Sequence, residues 1–186
     1  MSSQLLIEKE DLELLHSRNY HLIFCVGPRG AGKKSQIEKI SNEFHYSRLY
    51  LNEAIQKEIS SQTKLGLMAK EFVDKNEPIK TEVVVAILAR GIIECKELSI
   101  LIVDFPGKLE HAKYFEQKIM PINLILKFNC KEEICLKRLN EEVGLNISVE
   151  NYKIEYENTE KDLKELYDVY KPYSLIREIN SDNSIT

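Results

Sequence analysis

The chain has 186 residues, with 26 lysines and arginines against 30 aspartates and glutamates, a formal net charge of −4 at pH 7, and 43% hydrophobic and 8% aromatic content. That size and apolar fraction suit one globular domain built on a single core. A mildly acidic chain without a Lys/Arg block carries no electrostatic footprint for nucleic acid or an anionic membrane surface, which leaves small phosphorylated ligands as the partners to look for.

The first nineteen residues contain Glu8, Glu10, Asp11 and Glu13, the wrong charge for a transit peptide, and their apolar residues are too broken for a signal sequence. No stretch is long and apolar enough to span a membrane. Leu5, Leu12 and Leu15 predict a short amphipathic helix packed beside the first strand. Short apolar runs then alternate with helical periods. Strands are expected at His21 to Val26, Arg48 to Leu51, Ile100 to Asp104, Asn123 to Phe128 and Leu175 to Ile179, the α/β pattern of a parallel sheet buried on both faces. The first crossover helix places Ile37, Ile40 and Phe44 toward the sheet at spacings of three and four. From Glu53 to Cys95 the pattern is helical throughout, a crossover much longer than a simple βαβ unit needs. A later helix carries Val149, Tyr152, Tyr156, Thr159, Leu163, Leu166, Tyr167 and Tyr170 as a core stripe. No repeat or linker divides the chain, so one domain over 1–186 is expected. Cys25, Cys95, Cys130 and Cys135 show no zinc-like spacing; they read as reduced thiols and imply an intracellular, cytoplasmic protein.

The chemistry lies in Gly27-Pro28-Arg29-Gly30-Ala31-Gly32-Lys33-Lys34-Ser35-Gln36, between the first strand and its helix. Glycines let such a loop curl so that backbone N–H groups face inward, and the helix adds its positive dipole end to the same point. Gly27, Gly32 and Lys33 meet the phosphate-loop spacing, with Lys33 reaching the outer phosphates. Lys34 stands where most such loops carry Ser or Thr, and the hydroxyl arrives at Ser35. Arg29 reads two ways, as an unusual phosphate ligand or as a solvent-facing loop charge.

From about Tyr20 to Asn180 the chain resembles the adenylate kinase and nucleoside monophosphate kinase family, the loop being the strongest match. The resemblance implies a P-loop NTPase-type three-layer fold with a five-stranded parallel sheet, a helical acceptor-binding insertion over about 53–95 and a short lid over about 141–148. It implies ATP and Mg²⁺, the donor nucleotide being held by Gly27, Gly30, Ala31, Gly32, Lys33, Lys34 and Ser35, with the metal reached through Ser35 or Asp104. Lys33 and Asp104 take the catalytic positions, although Asp104 falls one residue late in an ungapped match and also reads as the start of a turn before Pro106. Arg138 falls where the family stacks an arginine on the adenine of ATP; an ordinary solvated helix charge is the other reading.

The rest of the family pattern is thinned. The acceptor-phosphate arginine is replaced by Gln56, a neutral amide without a charge-assisted fork. The stretch from Asp74 to Ile79 resembles the connection between acceptor-site helices, Gly107 replaces a second arginine, and His111 stands at the place of a base-reading glutamine. The lid holds no arginine, and in the helix after it Tyr152 or Lys153 falls near the last one. The end of the chain resembles the last strand and adenine-side loop but lacks the closing helix, an expectation that leaves apolar surface to be covered by the N-terminal helix or by a protein partner or larger assembly. Two function classes follow: an ATP-binding member whose phosphoryl transfer to a nucleoside monophosphate is impaired or lost, or an inactive domain serving as a structural or regulatory subunit.

Overall fold

The computed structural model describes residues 6–142, 144–173 and 175–183; Leu5, Val143 of the lid, and Ser184 to Thr186 lie outside them. A five-stranded, all-parallel sheet in the order β2-β3-β1-β4-β5 consists of β1 (His21–Val26), β2 (Ser47–Tyr50), β3 (Ser99–Val103), β4 (Ile125–Asn129) and β5 (Ile176–Asn180). Each strand lies within two residues of its expected span. The helices are α1 (Lys9–Ser17), α2 (Lys33–Phe44), α3 (Leu51–Ser60), α4 (Lys64–Asp74), α5 (Thr81–Glu94), α6 (Leu109–Lys118), α7 (Glu132–Lys137), continued by a π-helical turn (Arg138–Glu142), and α8 (Val149–Tyr170). None is long and apolar enough to cross a membrane among the described residues.

The central strand shows why the sheet is doubly covered. Leu22, Phe24 and Val26 of β1 join a large apolar cluster on one face, with residues of α1, α3 to α6 and α8; Ile23 and Cys25 join a smaller one on the other, with Ile37 of α2, Cys135 of α7 and Tyr152 of α8. Period-two alternation thus feeds two cores, and each large apolar side chain removed from water contributes about 1.5–3 kcal/mol. Helix α5 is buried almost all round, from Val83 to Ala89 and again at Ile92, as expected of a helix apolar on every side.

The insertion between β2 and β3 is the helices α3, α4 and α5. Its α3–α4 corner closes on a buried carboxylate. Thr63 caps α4 by accepting from Gly66 N at 3.0 Å and donates its hydroxyl to Glu58, which also accepts from Arg90 Nη1 at 3.2 Å. Gly66 sits so close that a Cβ there would stand 2.0 Å from Glu58 O. Glycine is required by contact at that point.

Three packing expectations need correction. Phe44 does not face the sheet: it is 59% exposed, because α2 ends there and His45 turns left-handed at φ 57, beyond the elements that cover Ile37 and Ile40. Val149 is 64% exposed, because α8 starts there and reaches the core only at Tyr152. Helix α1 packs chiefly on α5 rather than beside β1, and His16 Nε2 lies 2.7 Å from Ile119 O.

In this strand order the chain leaves β1 toward β2 on one side and leaves β3 toward β4 on the other. The crossover helices α2 and α6 therefore cover opposite faces, and a crevice opens at the carboxyl ends of β1 and β3, the switch point where open α/β sheets bind ligands.

Candidate functional site

A cleft of ≈ 590 Å³ occupies that crevice, lined by Gly27 and by Arg29 to Ser35 of the phosphate loop, by Tyr50 and Asn52 at the β2–α3 junction, by Asp104, Pro106 and Gly107 after β3, by Arg138, and by Glu155, Thr159 and Asp162 along one face of α8. The loop's shape depends on glycine. Gly30 is left-handed at φ +83, and a Cβ on it would lie 2.5 Å from Cys135 O. Only glycine fits both demands. Ala31 N donates to Pro28 O at 3.2 Å, and α2 starts at Lys33 with Gly32 at its N-cap and no side-chain cap. The first-turn amides of Lys33, Lys34 and Ser35 consequently have no intrahelical acceptor, and the helix dipole adds to them. The loop thus forms a cradle whose unpartnered amides suit an anion.

Lys33 lies inside this cradle, 8% exposed. Its Nζ donates to Gly27 O at 2.6 Å and Pro28 O at 2.8 Å and pairs with Asp104 Oδ1 at 3.1 Å. The one-residue slip that would turn Asp104 away on a strand does not act, because β3 ends at Val103. Asp104 adopts φ 63, its N–H is held by Cys25 O at 3.0 Å, and its carboxylate faces the loop. Lys34 and Ser35 are exposed on the cleft wall.

Arg138 also lines the cleft, and it is not the free helix charge of the second expectation. Its guanidinium donates to Ser181 O at 2.9 Å, Asp182 O at 3.2 Å and Asn183 O at 3.2 Å, tying the β4–α7 helix to the loop after β5. Those partners are more than forty residues away in sequence, and no local pattern announces them. Arg29 extends to α8, where Nη1 lies 3.5 Å from Glu155 Oε2, a pairing that sequence reasoning missed for the same reason. Tyr152, fully buried, donates to Arg29 O at 2.5 Å, while Lys153 points outward to Glu157 at 3.9 Å.

The acceptor-side residues are not gathered in the cleft. Gln56 is exposed on α3 and Ile79 packs against the large core cluster; neither lines the cavity. His111 stacks on Phe105, ring centroids 5.9 Å apart and 5° from parallel, and its buried Nδ1 has no hydrogen-bond partner among the described residues. Burial, then the nearby Lys108, lowers its pKa, which favours the neutral ring. The short lid is closed by a side chain: Asn140 donates to Ile147 O at 3.1 Å and accepts from Ile147 N at 2.9 Å.

Three of the four thiols are enclosed in the core. Cys25, Cys130 and Cys135 are buried and free. Burial foremost pushes the Cys25 thiol up to about 12 and, with Cys130 beside it, the Cys135 thiol to about 12 as well. Among the described residues no group of three His, Cys, Asp or Glu side chains could hold a metal ion by itself.

Comparison with known proteins gives a concordant result. The adenylate kinase family model matches residues 25–176. The chain is 26% identical over 174 residues to adenylate kinase isoenzyme 1 of Gallus gallus, covering 90% of each chain, and 28% identical over 169 residues to an adenylate kinase of Prochlorococcus marinus (strain MIT 9301), covering 89% of this chain and 92% of that one. To adenylate kinase 1 of Schistosoma mansoni it is 31% identical over 120 residues, which is 63% of this chain and 61% of that one.

Proposed function

The chain belongs to the adenylate kinase family, and from that premise we propose that it is a nucleotide-holding member in which transfer to a nucleoside monophosphate is strongly slowed. Proteins of this family bind nucleotides and transfer phosphoryl groups, generally with ATP and Mg²⁺. The donor half of the site supports the same ligand here. The glycine cradle, the first-turn amides of α2, Lys33 and Lys34 suit a polyphosphate chain, and Ser35 or Asp104 would hold the metal, which neutralises phosphate charge when bound.

One observation carries the second half of the reading. Every lysine or arginine lining the cleft, namely Arg29, Lys33, Lys34 and Arg138, belongs to the loop or to the segment after α7; the facing walls contribute Tyr50, Asn52, Gly107, Thr159 and the carboxylates Asp104, Glu155 and Asp162. Phosphoryl transfer relies on cations around equatorial oxygens that gain charge, and one arginine there contributes ~10³–10⁵ in rate. An acceptor monophosphate, itself a dianion, meets carboxylates instead. Lys33 and the loop can position the donor, but the acceptor lacks a charged clamp.

Calorimetric titration with ATP, paired with a coupled assay over AMP, UMP, CMP and dTMP, tests both halves. ATP binding that disappears in Lys33→Met is expected, together with turnover well below the ~1–10³ s⁻¹ usual for enzymes. Turnover inside that range on any of the four acceptors, or equal ATP binding by the variant, is the result that would sink it.

A further inference from the structure

Two contacts from one face of α8 converge on the apex of the phosphate loop. The buried Tyr152 hydroxyl holds the main chain at Arg29 O, 2.5 Å away, and Glu155, one helical turn further on, holds the same residue's side chain at 3.5 Å. The two grips differ in kind. The first is a short bond from a fully buried ring. The second joins side chains that are 48% and 41% exposed, and it is a single long contact rather than a fork, the type of ion pair that contributes little.

Of the other loop-side cations, Lys33 and Arg138 are more committed, and the exposed Lys34 is an ammonium without the guanidinium's fork. Lys33 has two carbonyls and Asp104, and Arg138 has three carbonyls. Arg29 is therefore the guanidinium that gives up least by moving, and it already stands on the cleft wall with its backbone fixed. A phosphate offers it shorter, charge-assisted hydrogen bonds in a two-pronged geometry that matches the guanidinium plane.

We propose that Glu155 is a built-in competitor for nucleotide phosphate. It holds Arg29 in the nucleotide-free protein, loses it to the phosphate chain on binding, and so sets nucleotide affinity and couples α8 to the occupancy of the loop. Because the main chain stays pinned by Tyr152, the exchange needs only side-chain rotation. The inference rests on the reading that the loop holds a nucleotide.

A double-mutant cycle measured by calorimetry with ATP tests it, using the full chain, Glu155→Gln, Arg29→Met and the double variant. Removing a competitor of exposed-pair strength tightens ATP binding about 5-fold in Glu155→Gln, while Arg29→Met weakens it about 10-fold. In the Arg29→Met background, Glu155→Gln changes affinity by less than about 2-fold, because the competition has lost its object. No tightening in Glu155→Gln, or equal tightening in both backgrounds, overturns the proposal. If the unaltered chain binds ATP and Glu155→Gln binds no better, only this inference fails; if neither binds ATP, the nucleotide-holding reading fails with it; and binding gained only in Glu155→Gln supports the competition.

Discussion

Lys33 and Asp104 form an ion pair across the switch-point crevice, Nζ to Oδ1 at 3.1 Å, with the lysine almost fully buried and the carboxylate side chain 42% exposed. Each comes from the carboxyl end of a different central strand, so the pair measures how closely the two loops approach. A buried ammonium needs partners for its three donors, and Gly27 O, Pro28 O and Asp104 supply them.

Asp104→Asn keeps the left-handed conformation, which Asn tolerates, and removes one negative charge from the phosphate side of the cleft. Metal-free ATP then binds more tightly than to the unaltered chain, while the gain from added Mg²⁺ shrinks from several-fold to about 2-fold or less, since a neutral amide is a poorer magnesium ligand than a carboxylate. Calorimetry with ATP in EDTA and in excess Mg²⁺ reads both changes; an unchanged magnesium gain would separate Asp104 from the metal.

Gly107 lines the cleft, and a Cβ built there meets only His111, at 3.6 Å. That is ordinary van der Waals contact, and its φ is not left-handed, so a larger side chain is accommodated. Gly107→Arg places a cation on the wall that lacks one and raises kcat/KM for phosphoryl transfer to AMP at least ~10-fold over the unaltered chain, a small part of what a well-placed arginine contributes. A coupled assay checks it; an unchanged rate would show that the missing charge is not what limits transfer.

His111 predicts a pH dependence of stability. Burial lowers its folded-state pKa below the ordinary value of about 6.5, so between those two values the unfolded chain binds more protons than the folded one. The stabilisation from the neutral ring is complete above about pH 6.5 and is lost as pH falls through the folded pKa. His111→Phe preserves an aromatic ring against Phe105 and removes the titration. The fall in Tm between pH 7 and 5 is therefore smaller in the variant, and equal falls in both proteins would exclude His111 as its source.

Gly66→Ala forces apart the α3–α4 corner, because the new Cβ would stand 2.0 Å from Glu58 O and 2.7 Å from Ile59 N. Backbone has to move, at a cost of about 2–3 kcal/mol, seen as a lower urea midpoint with an unchanged slope. ATP binding stays within about 2-fold, since that corner does not line the cleft. A variant as stable as the parent would mean that the corner yields freely.

Much of this molecule is legible along the chain. The runs at His21 to Val26 and Ile100 to Asp104 read as buried parallel strands because a nearly continuous apolar stretch is a local property of successive residues, and both strands appear with both faces covered, β3 ending at Val103. The loop's glycines and Lys33 read as a phosphate cradle because glycine's permitted left-handed angles act within a few residues. Phe44 and Val149 misled because a helical stripe says which side faces inward but not where the helix overruns the core.

Residue order alone dictates the α/β class, the cradle and the scarcity of arginine in the lid and acceptor segments, since each follows from short-range geometry or from composition. Only the folded chain decides what each charge meets. The turn after Val103 aims Asp104 at Lys33, the loop after β5 captures Arg138, and α8 brings Glu155 to Arg29, 126 residues away along the chain. Those partnerships arise where separate loops converge at the carboxyl ends of parallel strands, and Coulomb attraction depends on distance through space, which no spacing along the chain encodes.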